Sequence, residues 1–153
     1  DCIAALETDG DPETLQNHCD EFAKSSLEQQ QPEIDRLFTG EALEDIQKDL
    51  QKDDSDFAKS CLKKMSRNAP LSMACAIEIV HRLRGPMLSI ERALDLEYRF
   101  TFRAMEHGDF LEGIRAQIID KDRNPKWQYA DCAVPVAAIA TMMRPLGENA
   151  LNL

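Results

Sequence analysis

Apolar side chains recur three and four residues apart through most of this sequence: Leu43, Ile46 and Leu50, then Phe57, Ala58, Cys61, Leu62 and Met65, then Met73, Ala76, Ile77 and Val80. That spacing lines one face of an α-helix, whereas a half-buried strand needs strict alternation. Six glycines in 153 residues leave few of the tight turns that short strands require. The pattern predicts an all-α chain of many helices.

Start and stop signals divide it. Asp11-Pro12 pairs a capping residue with a proline suited to the first helical position, ahead of Leu15, Cys19, Phe22 and Ala23 on one face. Gln29-Gln30-Gln31-Pro32 is expected to end that element. Thr39 is expected to cap the next helix, and Lys52-Asp53-Asp54 to break it. Ser55 and Ser89 are expected to cap later helices, with Asn68-Ala69-Pro70 and Arg84-Gly85-Pro86 as the breaks around the helix between them. After Ser89 two periods compete. Tyr98, Phe100 and Phe102 alternate as in a strand, while Ile90, Ala93, Leu94 and Glu97 follow helical spacing. The uninterrupted length favours helix.

The stretch GDFLEGIRAQIIDKDRNPKW, residues 108–127, is the most detailed local signal. Asp109 and Glu112 have the spacing of a reciprocal cap, in which each side chain accepts from the other's backbone N–H. Leu111, Ile114 and Ile118 would line one face, with Arg115 and the later charges elsewhere. Lys121 and Arg123 would complement the helix dipole at its C-terminal end. Asn124-Pro125 must then break the helix, which delivers Trp127, the single tryptophan, onto an irregular segment. Trp127 and Phe110 are expected to be core anchors. A last apolar element spans Val134 to Met143.

Charge narrows the partners. The net charge is −10 and lies almost wholly in the first half: residues 1–69 hold 17 acids against 8 bases, residues 70–153 hold 11 against 10. Such an acidic half repels phosphate backbones, so nucleic acid is excluded as a partner for the whole chain. Arg115, Lys121, Arg123 and Lys126 nevertheless gather within twelve residues, enough to meet a small anion. No apolar run reaches the length of a membrane span, and a soluble chain with no membrane partner is expected. Five scattered cysteines without a CxxC pair argue against a disulfide framework or a zinc site. Cys61 and Cys75 read as small core residues in a reducing compartment, either bacterial cytoplasm or a mitochondrial matrix.

Catalytic signatures are missing from the sequence: no GxSxG, phosphate-binding glycine loop, HExxH or GxGxxG occurs. His18, His81 and His107 stand apart from one another and read as surface or helix-end residues. No residue is therefore expected to be catalytic, and none to bind a metal.

The segment Leu94 to Asp131, LDLEYRFTFRAMEHGDFLEGIRAQIIDKDRNPKWQYAD, closely resembles the C-terminal region of 3-hydroxyisobutyryl-CoA hydrolase-like proteins, a branch of the enoyl-CoA hydratase (crotonase) superfamily. Glu97-Tyr98-Arg99, Asp109-Phe110 with Glu112-Gly113, and Ile119-Asp120-Lys121-Asp122 leading to Pro125-Lys126-Trp127 carry the likeness. Pro70-Leu71-Ser72-Met73 departs from the serine-proline-threonine-serine pattern usual there. The resemblance implies an acidic helical segment over 1–54 and a crotonase-like C-terminal helical region over 55–153, forming one continuous helical unit that lacks the α/β core. It further implies a parent thioesterase that hydrolyses a β-hydroxyacyl-CoA in valine breakdown. The catalytic machinery would lie in the N-terminal core, and this chain alone would be inactive.

Its implied partners are that core, an acyl-CoA substrate and further copies in a homo-oligomer. No cofactor is implied, coenzyme A being part of the substrate. Lys121 is the nearest match to a lysine that reaches the nucleotide end of coenzyme A in related enzymes, with Arg123 and Lys126 assisting. Those relatives place an aromatic residue one turn earlier, where this sequence has Gln117. Two other readings stay open: the same part of a hydratase or isomerase, and a non-catalytic helical interaction module. A helical segment separated from its core is also expected to expose an apolar patch and to self-associate.

Overall fold

The computed structural model describes residues 2–11, 13, 25–86 and 88–152. It divides into two compact units, Asp1–Pro32 and Glu33–Leu153. Among the described residues there is no strand, and the protein is all-α. The helices are α1 (Cys2–Asp9), α2 (Ser26–Leu37), α3 (Leu43–Lys52), α4 (Asp56–Met65), α5 (Pro70–Arg82), α6 (Ile90–Arg103), α7 (Phe110–Ile114) and α8 (Val136–Met143). A π turn, Arg115–Ile119, continues α7, and a short 3-10 turn, Gly147–Asn149, follows α8.

Two of the expected caps form. The Ser55 hydroxyl accepts from Ala58 N–H at 3.1 Å and opens α4, and that of Ser89 accepts from Arg92 N–H at 3.2 Å and opens α6. Each removes one orphan donor from a helix start, a contribution of about 1 kcal/mol. Pro70 occupies the first turn of α5, where its missing N–H is harmless. Gly85 takes a left-handed conformation, φ 85°, just past that helix. The alternation in α6 does not mark a strand: Leu96 is buried and Phe100 packs with the core, while Tyr98 and Phe102 lie ring to ring, 6.1 Å apart.

Two expected boundaries are corrected. The helix α2 runs through Pro32 instead of stopping there. Residues beyond the proline are held by tertiary contacts that outweigh its lost donor: Leu37 is buried, and Arg36 pairs with Glu33 at 2.8 Å and Asp53 at 2.6 Å. Thr39 does not cap α3, because the turn through Ala42 intervenes and Ala42 supplies no side-chain cap. Of the Asp11-Pro12 start only Asp11 is described, its carboxylate accepting from the N–H of Glu13 at 2.9 Å; Pro12, the apolar face and His18 lie outside the described residues.

The core of the second unit is built around α5, which packs against α3, α6 and α8. Leu37, Ile46, Leu50 and Ala58 bring α3 and α4 together. Leu71 and Cys75 of α5 meet Met142 and Met143 of α8, and Leu43, Ala74 and Cys132 join the two groups. Burying a side chain such as Leu50 or Leu71 contributes about 1.5–3 kcal/mol. Burial pushes the Cys75 thiol up to about 12 and raises that of Cys61, so both behave as small hydrophobes. From α6, Arg99 donates to the carbonyl of Met143, and Arg103 to those of Met142 and Pro145. These arginines close the C-terminal end of α8. The opposite face of α6 is a bare apolar stripe, with Ile90, Leu94 and Phe102 all exposed, and Met105 in the turn that follows is exposed as well.

Candidate functional site

Past α6 the chain turns at Gly108, where an added Cβ would lie 2.8 Å from the carbonyl oxygen of Ala104. That approach needs glycine. It brings Asp109 and Glu112 to one side of the short α7, but the expected reciprocal cap does not form. Asp109 has φ −96° and ψ 15° rather than the extended backbone of a capping residue, and its side chain makes no cap bond. Both carboxylates reach across the sequence instead. Asp109 accepts from the N–H of Gln128 at 2.7 Å, and Glu112 accepts from the N–H of Lys126 at 2.6 Å.

Arg115 completes this clasp. It binds both oxygens of Glu112, at 2.9 and 2.8 Å, and donates to Asp120 at 2.6 Å, Asp122 at 2.8 Å and the carbonyl of Asn124 at 3.2 Å. The hydrogen bond from Arg115, aided by that from Lys126 N–H, pulls the Glu112 carboxyl down to about 2. The same guanidinium lowers Asp122, and its own proton is held more tightly by Glu112 first, then Asp122 and Asp120. Arg115 is thus occupied by carboxylates and is withdrawn from the basic cluster that the sequence suggested.

The helix also changes form at Arg115. The N–H of Asp120 donates to the carbonyl of Arg115, five residues back, at 2.8 Å, and the N–H of Arg123 to that of Ala116 at 3.0 Å. The widened turn shifts the helical phase from Arg115 onward, so Ile118 does not continue the regular face begun by Leu111 and Ile114. Ala116 is the fully buried residue, while Leu111 and Ile118 are more than half exposed. Phe110 is likewise exposed rather than a core anchor.

Lys121 and Arg123 do not sit at the last turn of a helix. Both lie beyond the π turn in left-handed conformations, φ 56° and 52°, a state that costs about 1–3 kcal/mol per non-glycine residue and persists only where surroundings impose it. The clasp supplies that imposition. Lys121, Arg123 and Lys126 are all exposed, and among the described residues none has an ion pair. The loop therefore presents three cations without an ion pair on a backbone fixed by carboxylates, an arrangement suited to holding a phosphate-bearing group. Nothing in the loop pairs a nucleophile with a base.

Beside it, Trp127 packs over Gly113 and borders a cavity of 330 Å³ that also contacts Ser72, Phe100, Asp109 and Ile114. Trp127 is half-buried against Gly113 and is not among the residues of the apolar core, so it anchors the loop rather than the core that was expected. One oxygen of Asp109 is buried there without a partner. The clasp role of Arg115 was not foreseen; its signal was the set of acids at positions 112, 120 and 122 around one arginine.

The family described as enoyl-CoA hydratase/isomerase matches residues 3–143. The 3-hydroxyisobutyryl-CoA hydrolase of Danio rerio, a mitochondrial protein, is 34% identical over 118 residues, covering 77% of this chain and 30% of that protein. The corresponding Homo sapiens hydrolase is 36% identical over 105 residues, covering 69% and 27%. Among solved structures, an enoyl-CoA hydratase from Rhodobacter sphaeroides matches with a TM-score of 0.83 and 46% identity, covering 99% of this chain and 43% of that one. The chain spans about a third of the length of these hydrolases, 30% and 27%.

Proposed function

The chain belongs to the enoyl-CoA hydratase/isomerase family, and from that membership we propose that it is the C-terminal helical part of an acyl-CoA thioesterase of the 3-hydroxyisobutyryl-CoA hydrolase kind. Its helices support a catalytic core contributed by other polypeptide, and its exposed loop meets the nucleotide end of coenzyme A. The observation that carries this reading is the match to named hydrolases at 34% and 36% identity, beside a family match over residues 3–143 that holds the whole clasp.

In this reading the chain's own residues bind and orient. Arg115, Glu112 and Asp109 fix the backbone of 120–128, and the fixed backbone presents Lys121, Arg123 and Lys126 to the phosphates. A preset loop loses little entropy on binding, so the cations contribute more than they would on a mobile tail. Gln117 replaces the aromatic residue that would stack on adenine, so affinity rests on charge. The bare stripe of α6 is the face that the core, or a neighbouring copy in a homo-oligomer, would cover. The compartment would be a mitochondrial matrix, the named hydrolases being mitochondrial, or bacterial cytoplasm.

The test is thioester hydrolysis of 3-hydroxyisobutyryl-CoA by this chain beside a full-length relative. The chain alone is expected to be inactive and yet to bind coenzyme A, with binding weakened when Lys121, Arg123 and Lys126 are replaced by alanine. Robust turnover by the chain overturns the supporting role. A second reading, the same part of a hydratase, is favoured by the 46% identity to the Rhodobacter sphaeroides enzyme. Thioester cleavage against water addition to an enoyl-CoA, assayed on the polypeptide that carries these helices with a core, separates the two.

A further inference from the structure

The basic loop is not the strongest positive feature of the molecule. Between Asp56 and Glu78 the sequence has no acid, although this stretch falls mostly in the acidic half, and it holds Lys59, Lys63, Lys64 and Arg67. Ser60, Lys63, Lys64 and Arg67 follow helical three-four spacing, which gathers them on one side of the C-terminal end of α4. Together with Asn68 they line a concavity of 480 Å³ with no carboxylate in its wall.

Lys63, Lys64 and Arg67 are exposed, and among the described residues none of them has an ion pair. Lys59 is engaged separately, donating to the carbonyl of Asp54 at 2.6 Å. A helix C-terminus attracts cations, and Lys63 and Lys64 in the last turn meet that demand. Arg67 and Asn68 lie beyond the helix. They turn a charged helix end into a concave set of donors: two ammonium groups, a guanidinium, a hydroxyl and an amide.

We propose that Lys63, Lys64 and Arg67 form a second anion site, separate from the 120–126 loop, that takes a phosphomonoester or pyrophosphate group. Three cations without a carboxylate partner lining one concavity repel one another, and a compact multivalent anion relieves that repulsion while accepting from several donors at once. The acidic remainder of the chain excludes diffuse polyanions such as nucleic acid. The site therefore selects small phosphates. This inference does not depend on the enzymatic reading of the chain.

Inorganic pyrophosphate titrated into the chain, followed by backbone amide NMR at constant ionic strength, tests it. The amides of 60–68 are expected to shift and saturate. A Lys63→Ala/Lys64→Ala/Arg67→Ala variant, altered only at exposed positions and checked for an unchanged melting temperature, should bind roughly tenfold more weakly or worse. Replacing Lys121, Arg123 and Lys126 should leave the response intact. Parallel titrations with coenzyme A and dephospho-coenzyme A identify the source of the phosphate: shifts at 60–68 with either one point to a nucleotide, and shifts with pyrophosphate alone to free phosphate. Unmoved 60–68 amides, an equal response to sodium chloride (an adventitious ion only), an unaltered response in the triple variant, or loss of the response with the loop cations would overturn the proposal.

Discussion

The core around α5 and the clasp around Arg115 are ordered by opposite physics. In the core, Leu50, Leu71, Met142 and Met143 are almost wholly removed from water and hold one another by area. In the clasp, Leu111 and Ile118 stay in water, and order comes from three carboxylates and a carbonyl around one guanidinium. Apolar packing is non-directional, so it brings helices together without fixing a particular loop conformation. Charge-assisted hydrogen bonds are directional and can hold Lys121 and Arg123 in backbone states that an apolar contact would not select. Where global stability is needed the molecule uses burial; where a loop must present cations in a set geometry it uses ions.

The largest effect that sharpens this contrast is expected on the core side. Leu50→Ala should lose about 2–5 kcal/mol, because a fully buried side chain leaves a cavity between α3 and α4. Chemical denaturation measures it, and a loss below the usual range for a buried leucine would mean that the core is looser than its burial indicates.

Arg115→Met should act locally. Hydrogen-exchange protection at the amides of Arg123, Lys126 and Gln128 is expected to fall, with a smaller change in the global midpoint than for Leu50→Ala. Equal losses of global stability in the two variants would erase the distinction between the regions.

The mildest perturbation is acid. Glu112 has a lowered folded-state pKa, about 2 against an ordinary 4.5, so its stabilising contribution is complete above 4.5 and is lost as pH falls from there through about 2. Asp122, lowered by the same arginine, shifts in the same direction. The loop amides should therefore lose protection in that window, ahead of those of α5, and Glu112→Gln should abolish the pH dependence of the Lys126 amide.

Much of the fold could be read from the chain because its determinants are local. The caps by Ser55 and Ser89 each span three residues, and the spacing of Leu43, Ile46 and Leu50 needs only the pitch of one helix. The family resemblance was legible for the same reason, in contiguous motifs around Glu97-Tyr98-Arg99 and Asp120-Lys121-Asp122, both inside the span matched by the family, residues 3–143. Less of the candidate site was legible. Lys121, Arg123 and Lys126 could be named from their clustering, but their left-handed backbone and the withdrawal of Arg115 could not.

By itself, then, the sequence determined that α3 to α6 and α8 become helices and which ends Ser55 and Ser89 cap, since those interactions close within one turn. Tertiary structure decided that α2 continues through Pro32, that the helix after Asp109 widens at Arg115, and that Asp109 and Glu112 clamp Gln128 and Lys126 instead of capping their own helix. Those contacts span 19 and 14 residues, and a carboxylate with two competing sets of N–H donors goes to whichever set the packed chain brings within reach.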